Sequence, residues 1–281
     1  MTVLRSAIAA AALFVLTLIL SPPLVAQWPA YPTPRLPRAA DGRPNLTAPA
    51  PRTADGKPDF YGIWNYAGVL GFRGGPPPPP PGTPPQATFW NIEAGIKEGL
   101  PFQPWAAELR KQRMDANSKD NPDAACLPLG HVQLHTHSQP RKIIQTADVI
   151  VILYEANAVV RQIFMDGRPA PGPDAQPWWA GYSRGRWDGD TLVVETTNFR
   201  DLGWLDVNGA PLTSEGKIIE RFRRPNLGTL EIDVTIDDPK AYTRPWTVRV
   251  NQRLLADTEL IEFVCLENQA FNPVTGGPRP R

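Results

Sequence analysis

Tyr182-Ser183-Arg184-Gly185-Arg186-Trp187-Asp188-Gly189-Asp190-Thr191-Leu192-Val193-Val194-Glu195-Thr196-Thr197 is the stretch that decides the fold of this 281-residue chain. Aromatic and β-branched residues flank Asp188-Gly189, a dipeptide suited to a two-residue hairpin turn. With that turn, Trp187 faces Asp190, Arg186 faces Thr191 and Gly185 faces Leu192. Opposed side chains share a face. Ser183, Gly185, Trp187, Leu192, Val194 and Thr196 then face the core, and Tyr182, Arg184, Arg186, Val193, Glu195 and Thr197 face water. Gly185 leaves room for a ring such as Trp187 or for a ligand, which makes Trp187 and Ser183 candidate ligand-binding residues.

Outward from the hairpin, strand follows strand. From Lys142 onward the main runs are Asp148–Glu155, Val159–Met165, Lys217–Arg223, Thr229–Ile236, Trp246–Arg253 and Glu259–Leu266. Turn signals at Asn208-Gly209, Pro225-Asn226-Leu227-Gly228 and Asp238-Pro239 separate several of them. No βαβ alternation is present. The expected fold is mainly β: an antiparallel meander closed, or nearly closed, into a barrel. Asp148–Met165 is apolar on both faces, so something must cover the outside of the sheet there. The candidates are the Pro-rich arm and a helix over Pro104–Asn117, in which Trp105 and Leu109 share a face and Glu108, Arg110, Lys111 and Arg113 are mostly solvated.

The N-terminus divides the chain further. Arg5, the apolar run Ala7–Leu20 and Leu24-Val25-Ala26 form the three-part pattern of a cleavable secretory signal over residues 1–26. A Pro-rich extended arm occupies 27–61 and holds two copies of one motif, Arg38–Leu46 and Arg52–Phe60. Residues 62–125 carry a first strand, a polyproline loop and the helix. The barrel core is expected over 126–268, and a tail over 269–281. Periplasmic or secreted localisation follows from the signal, and no later stretch reads as a membrane anchor. Export in turn favours a bridge between Cys126 and Cys265, the only two cysteines. Lys+Arg of 29 against Asp+Glu of 28 argues against a nucleic-acid partner.

The chemistry concentrates at His131, His135 and His137, the only histidines of the chain. On an extended strand all three would share a face. They are then candidate ligands for zinc or another divalent metal, with Glu155 as a completing carboxylate. Alternatively they cap a strand or bond backbone carbonyls. Glu155, Arg161, Glu195, Glu220 and Arg221 lie in or beside strands. Inward carboxylate and guanidinium groups in a barrel must pair. Such a pair either serves structure or supplies acid–base chemistry, and Glu155 and Arg161 are the candidate catalytic residues. No serine-hydrolase elbow, HExxH motif or phosphate-binding loop is present.

Several segments also resemble a family of exported bacterial proteins frequent in Acidobacteria and other soil bacteria. These are Pro51–Trp64, Cys126–Gly130, Arg161–Arg168, Gly181–Thr196, Glu220–Phe222 and Cys265–Asn268. The resemblance spans nearly the whole mature chain and implies fold and location, but no reaction. Gly62-Ile63-Trp64 is also similar to the Gly-x-Trp that opens the first strand of lipocalin barrels, which implies a lipocalin-like barrel around an apolar small molecule. Binding of a small, largely apolar ligand is the first functional expectation. A metal-dependent or acid–base hydrolase or lyase using the histidines is the second, and an envelope structural or interaction role is the third.

Overall fold

Along each long strand buried and solvated residues alternate, and that alternation wraps the sheet around a single interior. The computed structural model describes residues 31–68, 80–172 and 174–265. The strands are β1 (Gly62–Tyr66), β2 (Arg141–Gln145), β3 (Val149–Tyr154), β4 (Val160–Phe164), β5 (Tyr182–Asp188), β6 (Thr191–Thr197), β7 (Gly203–Trp204), β8 (Pro211–Leu212), β9 (Lys217–Asn226), β10 (Thr229–Asp237) and β11 (Trp246–Leu255). Two α-helices accompany them, α1 (Pro104–Asp115) and α2 (His131–Thr136). Nine strands close into a barrel in the order β1-β11-β10-β9-β6-β5-β4-β3-β2, and β7-β8 form a separate two-stranded sheet. The expected β-barrel is therefore present, with three refinements. First, β4 and β5 pair in parallel, so the sheet is mixed rather than a pure meander. Second, β1 lies between β11 and β2 and closes the barrel, so the core draws on residues well before 126. Third, Glu259–Cys265 forms no strand.

The β5–β6 hairpin has Trp187 opposite Leu192, Gly185 opposite Val194 and Ser183 opposite Thr196. The turn is thus Gly189-Asp190, one residue later than the sequence suggests. Moving the turn by one residue shifts the pairing by two, so every side chain keeps its expected face. Gly185 opens no ligand space: a Cβ there would meet the Met165 sulfur at 2.3 Å. Trp187 packs as structure too, stacked on Phe60 at 5.7 Å between ring centroids.

The two arm motifs are a structural repeat. In each, the arginine donates to the carbonyl of the turn glycine (Arg38 to Gly42, Arg52 to Gly56). The same guanidiniums grip Asp257 and Asp190, each at 2.6 Å. Leu227 N–H donates to Ala48 and Gly228 N–H to Leu46, so the arm lies across the β5–β6 and β9–β10 turns. Inside that end sit Phe60, Phe222 and the fully buried Trp64. The Arg224 guanidinium lies 4.7 Å from the Trp64 ring centroid.

The arm reaches the end of β2, the neighbour of β3, where the Gln145 side chain bonds Pro58 and Phe60. The segment after β11 passes beside β2, tied by Lys142 to Glu259 at 2.8 Å. The same segment ends in the Cys126–Cys265 disulfide, with 5.7 Å between Cα atoms. Helix α1 docks elsewhere, and through the residues expected to be solvated. Arg110 pairs with Glu93 at 2.7 Å, and Arg113 donates to the carbonyls of Gly209 and Leu202. Trp105, though exposed over its ring, also ties the helix down, its indole N–H donating to the Lys240 carbonyl at 2.8 Å. Among the described residues no helix is long and apolar enough to cross a membrane. The signal segment, most of the polyproline run and the tail lie outside the described residues.

Candidate functional site

His131-Val132-Gln133-Leu134-His135-Thr136 is a poor helix sequence, and six residues are too few for a helix to persist alone. Tertiary caps hold α2. The Gln133 N–H donates to the Leu205 carbonyl. At the C-terminal end the buried Arg141 guanidinium donates to the carbonyls of His135 (2.7 Å), His137 (2.9 Å) and Gln139 (2.9 Å). Gln252 adds a bond to the His135 carbonyl at 2.7 Å. A cation at a helix C-terminus also opposes the helix dipole. Gly130 permits the approach, since a Cβ there would meet the Trp204 carbonyl oxygen at 1.7 Å.

The helix corrects the expected extended histidine segment. At four-residue spacing His131 and His135 share one helical face, and both turn inward. His137 lies past the helix: its Nδ1 accepts from Gln139 N–H, and its ring packs edge-on against Phe89. It takes no part in the cluster. Nor does Glu155, whose raised pKa comes from burial and whose neighbours are Gln139 and Ile261. The carboxylate that meets the histidines is Glu220 on β9, flanked on its face by Ile218 and Phe222.

Glu220 is fully buried and four-fold held. His131 Nε2 lies 3.2 Å from its Oε2 and His135 Nε2 2.6 Å from its Oε1. Arg161 on β4 donates through both terminal nitrogens, to Oε1 at 3.1 Å and to Oε2 in a shorter contact. Arg161 is itself fixed by Ser183 Oγ (3.0 Å) and Thr196 Oγ1 (3.0 Å), which also bond each other. Of the four candidate catalytic and ligand-binding residues, then, Arg161 and Ser183 enter the cluster, whereas Glu155 and Trp187 do not. Sequence reasoning gave no role to Thr196, Tyr154 or Arg141, although each shares a strand face with core residues.

The electrostatics are self-consistent. Burial alone would raise the Glu220 pKa; the Arg161 charge and the two imidazoles outweigh it and hold the carboxyl well below its ordinary range. Burial pushes both histidines down, His135 to about 4, so the rings are neutral at pH 7. One guanidinium and one carboxylate cancel. Several polar atoms stay unmatched: Nδ1 of His131 and of His135, and the Tyr154 hydroxyl, which lies beside Arg161 without a well-aligned bond. Buried atoms of this kind normally find water or a ligand. His131, His135 and Glu220 each offer a ligand atom within 4.8 Å of the others.

His131 also forms part of the wall of a cleft of about 220 Å³, with Leu129, Trp179, Phe199, Arg200 and Trp204. A second cleft of about 440 Å³, bordered by Val160, Gln162, Gln176 and Trp178, reaches Arg161. The two share Pro128, Trp179 and Arg200. Arg200 stacks over the Trp179 ring at 4.8 Å, so this pair stands between them.

No family model matches the chain, and neither a curated protein nor a solved structure matches it.

Proposed function

We propose that this is an exported small-molecule-binding protein whose ligand sits in the cleft against His131. One observation carries the reading: an aromatic cleft converges on a buried, preorganised polar cluster. Ligand sites combine apolar walls with a few placed polar groups in this way. The expected ligand shifts in character. Trp64, Phe222, Arg161, Glu220 and His135 fill the barrel, so we place the ligand beside the barrel wall and not in an apolar lumen. At about 220 Å³ the cleft is below the ~300–1,000 Å³ of drug-sized sites. A small amphipathic molecule suits it. Export is part of the same proposal, supported by the Cys126–Cys265 disulfide, as is membership of the exported family that the sequence resembles.

2-Naphthol, an amphipathic fluorophore small enough for a cleft of about 220 Å³, tests the reading. We expect saturable one-site binding. Trp179→Ala should weaken it about tenfold, the ~1.4 kcal/mol of one aromatic contact, and Trp105→Ala should leave it unchanged. Non-saturable binding, or equal effects of the two substitutions, would count against the cleft. A second reading, an acid–base enzyme, is favoured by His131 itself. Glu220 fixes its Nε2 while its Nδ1 stays without a partner, the arrangement of an oriented general base.

A further inference from the structure

We infer that His131, His135 and Glu220 form a binding site for one divalent transition-metal ion. The donor set is two imidazole nitrogens four residues apart on one helical face and one carboxylate from the facing strand. Such a set suits zinc, cobalt or iron; magnesium and calcium prefer oxygen ligands. It keeps a coordination position for water or ligand, as catalytic zinc sites do. His137, which strand spacing suggests, and Glu155, the candidate completing carboxylate, are not needed.

The distances are close to those required. Bonds of ~2.0–2.1 Å in a tetrahedron set neighbouring ligand atoms ~3.3 Å apart. His131 Nε2 lies 3.2 Å from Glu220 Oε2 and His135 Nε2 2.6 Å from Oε1, so each imidazole meets a different oxygen of the one carboxylate. One ligand atom from each residue lies within 4.8 Å of the others, and side-chain rotations are needed to draw all three onto one ion. An outer shell exists as well. Ligating carboxylates are usually hydrogen-bonded in turn, and Arg161, locked by Ser183 and Thr196, does this for Glu220.

Charge fixes what accompanies the ion. Arg161 and Glu220 cancel, so a divalent ion adds two positive charges to a site that is 0 % exposed at Glu220. An unbalanced buried charge is costly. An anion in the remaining coordination position offsets this charge: hydroxide or a carboxylate removes one unit of it, and a dianionic oxyanion entering past His131 from the cleft removes both. The unmatched Tyr154 hydroxyl is a buried polar group on hand for such a ligand or its water.

The test uses the purified full chain, stripped with chelator, dialysed and titrated with Co²⁺, followed by its visible spectrum and by elemental analysis. We expect one ion per chain in wild type and in His137→Ala. His131→Ala and His135→Ala should each lose at least about 100-fold in affinity, more than outer-shell changes cost. Near-UV circular dichroism confirms that each variant is folded. If a variant fails to fold, the d–d bands of the wild type decide, because they distinguish nitrogen-bound four-coordinate cobalt from the aquo ion. Folded wild type that takes up neither Co²⁺ nor Zn²⁺ would overturn the inference. So would equal loss in His137→Ala and His135→Ala.

Discussion

Arg161→Met is the substitution on which the polar interior depends most. Methionine replaces the stem and leaves Glu220 buried without its cation. The Arg161 guanidinium makes two bonds to Glu220, one to Ser183 and one to Thr196. Removing one partner of a buried, hydrogen-bonded ion pair costs ~3–5 kcal/mol. For a protein of this size, ~2–4 °C per kcal/mol turns that into a fall in melting temperature of roughly 6–20 °C. Arg161→Met with Glu220→Gln removes both charges and should recover a good part of the loss, because neutral replacements of buried pairs are often tolerated. Urea unfolding of the oxidised protein, run as a double-mutant cycle, supplies the coupling energy. The surface pair Arg184–Glu195 is the control and should couple by less than ~1 kcal/mol. If Arg161→Met costs under ~1 kcal/mol, or the two changes simply add, the buried pair is not the organising interaction described here.

Other consequences follow from single contacts. With its cysteines 139 positions apart in sequence, the disulfide stabilises by about 5 kcal/mol in the chain-entropy model; Cys126→Ala/Cys265→Ala should show a fall approaching that in urea, and wild type with a thiol reductant should match it. Gly130→Ala drives a Cβ into the Trp204 carbonyl and should both destabilise the fold and abolish fluorophore binding, as read by thermal melting and titration. Burial raises the Asp206 pKa above its ordinary value, so the folded state holds that proton longer than the unfolded chain does. Its contribution is greatest below the unfolded carboxyl pKa of ~3.9 and is lost as pH rises through the folded value. Asp206→Asn should therefore raise the melting temperature more at pH 7 than at pH 4, and a larger gain at pH 4 would contradict the assignment.

The barrel was legible because period-2 alternation survives local error. The β5–β6 turn lies one residue from its expected place, yet Ser183, Gly185 and Trp187 keep their face. The inward position of Glu220 was legible on the same basis, between Ile218 and Phe222, and that of Arg161 between Val159 and Ile163. What the sequence could not disclose is which charges meet, because Arg161 and Glu220 come together only when strands 59 residues apart close around one interior. The histidine helix was hidden for a related reason. Within residues 131–136 only Gln133 and Leu134 are good helix formers; the caps come from Arg141, Gln252 and Leu205. The role of Arg110 in docking α1 was hidden as well, since a charge run gives no sign that Glu93 lies within reach.

The most direct measurement is the response of the tryptophan indole N–H resonances to the fluorophore, given that nine tryptophans spread through the chain. A ligand in the cleft against His131 shifts Trp179 and Trp204 and leaves Trp64, Trp187 and Trp246 in place. Shifts centred on Trp64 or Trp187 would put the ligand at the arm-covered end of the barrel and contradict the account.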